Sequence, residues 1–387
     1  MRILHTSDWH LGRSFHREGM LGAQAAFVDH LVETIAAERV DLVLVSGDVY
    51  DRALPPVDAV ALADETFARL AASRAQVVVT SGNHDSARRL GFNSRLIDAS
   101  GVYFRTDATS AGTPVLLEDE HGPVAVYGLP YLEPDVLREP WQLESRTHTA
   151  VLTEAMRRVD VDRAARPSGT RSVAMAHAFV AGGAASDSER DISVGGVSIV
   201  PTRVFETVDY AALGHLHGRH TLTDSIRYSG SPLAYSFSET HHRKGSWVVE
   251  LGRDGFERAD FLDAPVPRQL AQVRGDLEDL LHDPRHADKE DCWVQAVLTD
   301  PVRPRQAMER LRTRFPHTLI LSFEPTGGEA SPVPGSRPLT GRSDHEIGLD
   351  FVREVRGTPA SEAEAALLLE ACDSCKHGSD ADQVVGA

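Results

Sequence analysis

Short apolar runs alternate along the first part of the chain with polar turns and amphipathic stretches. Arg2 to Ser7, Leu42-Val43-Leu44-Val45 and Val77 to Thr80 read as buried strands. Between the first two, Phe27, Val28, Leu31, Val32 and Ile35 fall at helical spacing within Leu21 to Arg39, and a second helix is predicted from about Val57 to Ala72. A strand-helix-strand-helix-strand run implies a parallel sheet with right-handed crossovers, so the three strands end on one edge.

The pattern then continues less regularly. A helix is expected near Arg88 to Ala99, short strands around Val115 to Leu117 and Val124 to Tyr127 should continue the sheet, and Thr147 to Ala164 reads as a helix. Strands Ser172 to Ala176 and Tyr210 to Leu213 follow, and others near Arg227 to Ser229 and Ser246 to Leu251 close this region near residue 264. A helical stretch (Leu270 to Leu281), a strand (Trp293 to Leu298), a helix (Arg305 to Phe315) and a strand (Thr318 to Phe323) then make a small α+β unit. The Gly, Pro and Ser of residues 327–341 read as a linker, and two helical patterns, His345 to Val355 and Ser361 to Ala371, form a tail that should dock on something.

Composition narrows the class. With 387 residues, 41% hydrophobic and 25% charged, the chain reads as a soluble globular protein of two or three domains, with no apolar leader and no membrane span. Cys292, Cys372 and Cys375 cannot build a disulfide framework, which leads us to expect a cytoplasmic protein, and the CxxC of Cys372 and Cys375 reads as accidental spacing. A net charge of −17 excludes nucleic-acid binding by a global positive field, so any polyanion must be held locally. Only Lys244, Lys289 and Lys376 among the 40 basic residues are lysine, so arginine supplies almost all the positive charge and could offer bidentate phosphate contacts, although most of these arginines read as compositional bias.

The candidate chemistry lies at the ends of the strands. Asp8-Trp9-His10, Gly47-Asp48, Gly82-Asn83-His84-Asp85, the lone His177 and Gly214-His215-Leu216-His217 all follow apolar runs, and they hold five of the eighteen histidines. Residues two apart in an extended segment face the same way, so Asp8 and His10, or His215 and His217, can grip one ion together. Oxygen and imidazole donors without thiolate favour Mn²⁺, Fe²⁺ or Zn²⁺. There are too many donors for one ion, so two are inferred, bridged by a carboxylate.

This series, D-x-H, G-D-x-x-D, G-N-H-D, a strand-end His and G-H-x-H, resembles the calcineurin-like metallophosphoesterases. Leu4-His5-Thr6-Ser7-Asp8-Trp9-His10-Leu11-Gly12, Ala176-His177-Ala178-Phe179-Val180 and Tyr228-Ser229-Gly230-Ser231-Pro232 are similar to the SbcD-type nuclease branch of that family. The resemblance implies an α/β fold, a four-layer α/β/β/α sandwich over residues 1–264, with a capping α+β domain at 265–326, a linker at 327–341 and a helical tail at 342–387. It implies Asp8, His10, Asp48 and His217 on one metal and Asp48, Asn83, His177 and His215 on the other, the ions being Mn²⁺. His84 is left to act at the leaving oxygen, and Asp51 either orients it or caps its turn. Arg13, Arg17, Arg52, Arg88 and Arg89 flank the motifs as candidate DNA contacts, though each is also an ordinary surface charge. Asp85 is expected to make a structural hydrogen bond at its turn.

The implied activity is Mn²⁺-dependent 3′–5′ exonuclease action on double strands and endonuclease action on single strands and hairpins, in DNA repair, recombination and replication. The implied partners are DNA, an SbcC-type ATPase bound through the tail, and a second nuclease subunit within a heterotetramer. Two alternatives remain at this point: a small-molecule phosphodiesterase or phosphatase of the same superfamily, and an inactive scaffold.

Overall fold

The computed structural model describes residues 1–190, 199–326, 342–356 and 358–379, so the expected linker 327–341 and the side chain of Cys375 lie outside the described residues. The chain divides into two compact units, Met1–Val297 with Gln306–Ser322, and Leu298–Arg305 with Phe323–Ala387.

The first unit is built on two six-stranded sheets. In the first, β1 (Arg2–Thr6), β2 (Leu42–Ser46), β3 (Gln76–Thr80) and β4 (Val102–Arg105) run parallel, joined by α1 (Leu21–Ala37) and α2 (Val57–Ala71). The second holds β5 (Val115–Asp119), β6 (Gly122–Gly128), then, after α3 (His148–Ala164), β7 (Arg171–His177), β8 (Tyr210–Gly214), β9 (His220–Thr221) and β10 (Ile226–Tyr228). The chain then returns to the first sheet, where β11 (Gly245–Gly252) lies antiparallel to β1 and β12 (Gly255–Asp263) completes the edge.

Strand periodicity assigns each residue to a layer. Ile3, Leu42, Leu44 and Val78 face the second sheet, where they meet Val124, Val126, Val173, Met175 and Tyr210. Their neighbours Leu4, Val43, Val45, Val77 and Val79 face the other way, onto Phe27, Leu31 and Ile35 of α1 and Ala59, Ala63 and Leu70 of α2. Ala125, Tyr127, Ala174, Ala176 and Leu213 pack likewise on Val151, Leu152, Ala155 and Met156 of α3. The result is the α/β/β/α layering, and it brings β1, β2, β3, β7 and β8 to a common edge.

Several elements differ from the sequence expectation. β5 and β6 do not extend the first sheet; β6 pairs with β7 and opens the second. The helix expected over Arg88 to Ala99 is two single turns, Ala87–Leu90 and Ser94–Ile97, because Gly91 ends the first and Asn93 adopts a left-handed φ of 60° before the second. Leu270 to Leu281 is not one helix but β13 (Leu270–Gly275) followed by α4 (Leu277–His282). Its Leu270, Val273, Leu277 and Leu280 fit helical spacing, yet Ala271 and Val273 alternate with exposed Gln272 and Arg274 in a period of two.

β13, β14 (Trp293–Leu298) and β15 (Thr318–Phe323), with α5 (Ala307–Arg314), make the small sheet. Leu270, Trp293, Leu319 and Ile320 pack on a cluster formed by Phe15, Met20, Leu233, Tyr235 and Phe237. In the second unit α6 (Asp344–Arg356) and α7 (Glu362–Ser379) form a helical hairpin, pinned by Arg356 on Glu364 at 2.8 Å and by His345 Nε2 on the Ala365 carbonyl at 2.9 Å. Phe351, Val355, Leu367 and Leu369 stay exposed on it.

Candidate metal centre

Every expected ligand leaves a strand end, and the backbone there is held where ordinary residues rarely go. Asp8, His10, Asp48 and His215 have φ of 54°, 47°, 51° and 100°, a region that costs a non-glycine residue about 1–3 kcal/mol and survives only where its surroundings over-determine it. Here His215 N donates to Asp8 Oδ1 at 3.0 Å, His84 N to Asp48 Oδ1 at 2.9 Å and His10 N to the Asp48 carbonyl at 3.0 Å. The strand ends also approach too closely for side chains. A Cβ on Gly82 would sit 2.1 Å from Asp48 Oδ1, and one on Gly214 would sit 1.9 Å from the Ser46 carbonyl oxygen.

The side chains converge in two overlapping groups. Asp48 Oδ2 lies 3.6 Å from His10 Nε2 and 3.4 Å from His177 Nε2, so it stands between them. On one side His10 Nε2 is 3.0 Å from His217 Nε2, and these two with Asp8 bring their donor atoms within 4.8 Å of one another. On the other, Asn83 Oδ1 is 2.9 Å from His177 Nε2 and 3.3 Å from His215 Nδ1. Donors held about 2.1 Å from a single ion, at angles between octahedral and tetrahedral, are spaced about 3.0–3.4 Å apart. The spacings of 3.0, 3.3 and 3.4 Å fall in this range, and those of 2.9 and 3.6 Å lie just outside it.

Proton placement supports the same fit. His177 Nδ1 donates to the Ser46 carbonyl at 3.0 Å, which leaves Nε2 facing the lone pairs of Asn83 Oδ1 and Asp48 Oδ2. Converging lone pairs need a cation among them. In the metal-free chain a second proton on the ring serves: burial opposes it, yet the Asp48 carboxylate holds His177 up to about 9. Asp48 is kept well below the usual carboxylate range by His177 despite its own burial, while burial pushes Asp8 up to about 6. The donor set fits a pair of divalent ions.

His84 is held differently. Its Nδ1 donates to the main-chain oxygen of Asp51 at 2.7 Å, which turns Nε2 towards Asp48 Oδ2, 4.0 Å away. Burial lowers the pKa of the ring while the Asp48 charge opposes that. The contact between Asp51 and His84 is made by the main-chain carbonyl of Asp51 and not by its side chain. The carboxylate faces Arg13 at 3.7 Å and Arg52 at 3.6 Å. Asp85 makes the expected turn hydrogen bonds, accepting from Gly82 N, Tyr50 N and Val49 N at 2.9, 2.9 and 3.1 Å.

The expected DNA contacts separate. Arg13 is drawn in, donating to the Ser188 carbonyl at 2.8 Å with its guanidinium 5.0 Å from the centre of the Tyr235 ring. Arg17, Arg52, Arg88 and Arg89 are exposed at the surface. Sequence reasoning missed the segment from Ser186 to Arg190. There, Arg190 reaches the Asn83 carbonyl at 3.4 Å and lies 3.5 Å from His84 Nδ1, and Ser188 sits 2.5 Å from His217 Nδ1. It also missed Glu239 and the Lys244 paired with it. The scarcity of lysine was the one sequence signal that singled out Lys244.

The calcineurin-like phosphoesterase family model matches residues 1–219 of the chain, and the Type 5 capsule protein repressor C-terminal domain model, SbcD_C, matches residues 266–353. Among solved structures, TT1561 of Thermus thermophilus is 13% identical, with a TM-score of 0.39 over 68% of this chain and 98% of that one. A dimetal phosphatase from Danio rerio is 15% identical, with a TM-score of 0.39 over 68% and 99%. A novel archaeal phosphodiesterase is 12% identical, with a TM-score of 0.31 over 68% and 100%. Likeness of this degree says nothing about substrate.

Proposed function

The chain belongs to the calcineurin-like phosphoesterases and is of the SbcD type, and from that premise we propose that it is a Mn²⁺-dependent DNA nuclease subunit working with an SbcC-type ATPase. Membership makes it a metal-dependent hydrolase of ester bonds. The observation that carries the finer reading is the convergence of seven oxygen and imidazole donors at the common edge of the two sheets, in a chain that also matches SbcD_C. Asp8, His10, Asp48 and His217 would hold one ion, and Asp48, Asn83, His177 and His215 the other. Bound there, two divalent ions supply charge stabilisation at a phosphoryl group and lower the pKa of an attacking water.

The chain's own residues account for the rest. His84, anchored through Nδ1, presents Nε2 to the leaving oxygen, and an anionic phosphodiester beside it favours the imidazolium that donates the proton. Arg190, exposed and beside His84, supplies a guanidinium for a neighbouring phosphate, and Arg13 supports it from the Asp51 side. Affinity for DNA should then fall with salt. Substrates would be double-stranded ends, single strands and hairpins, in cytoplasmic DNA repair, recombination and replication. The helical hairpin of α6 and α7, with its exposed apolar residues, is the proposed seat of the ATPase, and among the described residues no helix is long and apolar enough to cross a membrane. A second nuclease subunit would cover Leu54, Val57 and Val60 near the start of α2 together with Phe92 and Leu96, all exposed, beside a cleft of about 240 Å³ lined by Leu54, Pro55 and Arg89.

The test compares a hairpin DNA with small phosphoesters, using the chain co-expressed with a coiled-coil ATPase in Mn²⁺ and ATP. Hairpin cleavage that depends on residues 342–387 is expected. Turnover of small esters with no action on DNA would replace the nuclease reading with that of a small-molecule phosphodiesterase.

A further inference from the structure

A buried chain of polar groups runs from His217 away from the candidate metal centre. Ser188 Oγ is 2.5 Å from His217 Nδ1 and donates its proton to Glu239 Oε1, while Glu239 Oε2 pairs with Lys244. All four residues are buried: His217 and Glu239 are 1% exposed, Lys244 6% and Ser188 8%. The main chain of His217 is held from both sides, its N–H by Glu189 Oε1 at 2.7 Å and its carbonyl by Lys244 Nζ at 2.9 Å. Lys244 Nζ makes a further bond to Ser231 Oγ at 3.0 Å.

Counting protons fixes the direction of this chain. A hydroxyl has one hydrogen, and a carboxylate paired with an ammonium only accepts, so the Ser188 hydrogen goes to Glu239. The Ser188 oxygen must then accept from His217, which places the ring proton on Nδ1. That leaves a lone pair on Nε2, the atom that faces His10 Nε2 at 3.0 Å and clusters with Asp8. An isolated buried ion pair is a poor stabiliser, since apolar residues of equal volume serve a core as well or better. Its placement directly behind one candidate ligand calls for another role.

We propose that Ser188, Glu239 and Lys244 are positioning residues for the metal centre: the ion pair fixes the Ser188 hydroxyl, which locks His217 in the Nδ1–H form with Nε2 aimed at the ion. This rests on the metal-centre reading above. Hydrogen-bond partners behind a metal-ligating imidazole set its tautomer and orientation, and removing one costs about 10–100-fold in metal affinity.

The test uses the full chain, stripped of metal, and the substitution Ser188→Ala. Glu239 and Lys244 stay paired in that variant, and Glu239 Oε1 keeps the Tyr235 amide at 3.3 Å, so the fold should hold. Calorimetric titration with Mn²⁺ should show one of two sites weakened by about 10-fold or more, with the other site and the melting temperature of the metal-free chain little changed. Ser188→Thr, which keeps the hydroxyl, should restore the affinity. ¹⁵N spectra of the metal-free wild type should report His217 protonated on Nδ1, and those of Ser188→Ala a mixture of tautomers. Wild-type affinity at both sites in Ser188→Ala, or an Nε2–H ring in the metal-free wild type, overturns the proposal. A wild-type chain that binds no Mn²⁺ but does show the Nδ1–H ring would instead overturn the metal-centre reading and leave the tautomer lock standing.

Discussion

Replacing His84 with glutamine separates the two roles its position allows. His10, Asp48 and His84 bring donor atoms within 4.8 Å of one another, so distance alone would permit His84 to be a ligand. Its Nε2, however, is 4.0 Å from Asp48 Oδ2, the longest of the three imidazole distances to that oxygen, and its Nδ1 is committed to the Asp51 carbonyl. If His84 is the proton donor, the variant loses a general acid, which is worth about 10²–10⁴-fold in rate, or about 2.7–5.5 kcal/mol in the barrier. It also loses one buried hydrogen bond, about 1 kcal/mol of stability. Two bound Mn²⁺ per chain by elemental analysis, a turnover on hairpin DNA at least about 10²-fold down, and a small fall in melting temperature are the expected results. A metal content falling from two to one would make His84 a ligand. Unchanged turnover with full metal content would remove it from the chemistry altogether.

Other outcomes follow from the same geometry. Gly214→Ala sets a Cβ against the Ser46 main chain, which cannot rotate aside; β2 and β8 must part, destabilising the protein by about 1–3 kcal/mol or more and weakening Mn²⁺ binding, and a wild-type melting temperature would contradict the close approach. Asp119 is held below the usual carboxylate range, against its burial, by buried Arg171, whose Nη1 is 3.0 Å from Oδ2. A carboxylate with a depressed pKa stabilises the fold above its ordinary value near 4 and loses that contribution as pH falls through the folded pKa. Asp119→Asn should therefore melt lower than wild type at pH 7, by about 1.5–3 kcal/mol for weakened charge-assisted hydrogen bonds, with a gap that shrinks as the solution is acidified below about pH 4; a gap independent of pH would refute the assignment. Leu54→Glu with Phe92→Glu should convert the proposed dimer to a monomer in sedimentation, and an unchanged mass would remove that surface from the proposed interface.

The sequence by itself determined the strand-helix alternation of the first sheet and the placing of the candidate donors after apolar runs; the second sheet and its layers were implied only by the family resemblance. Runs such as Leu42-Val43-Leu44-Val45 are apolar at every position because both faces of the strand are covered, and that is legible in one dimension. Asp8, His10, His215 and His217 were legible as candidate donors because each follows an apolar run, but not as pairs facing one way: Asp8, His10 and His215 have positive φ rather than extended backbone, and His215 and His217 fall in different donor groups. Where two periodicities overlapped, as in Leu270 to Leu281, the chain did not choose between strand and helix, and pairing with β14 in the small sheet did.

Only the tertiary structure decided that β5 and β6 open a second sheet, since the partner of a strand is a matter of which chain segment lies beside it. It alone decided that His84 is oriented by the Asp51 carbonyl, because main-chain atoms carry no residue signature. It alone brought Ser188, Glu239 and Lys244 behind His217, from positions up to 56 residues apart along the chain. A ligand and its strand can be read from local spacing. The groups that hold the ligand's proton in place come from distant loops, and no local pattern links them.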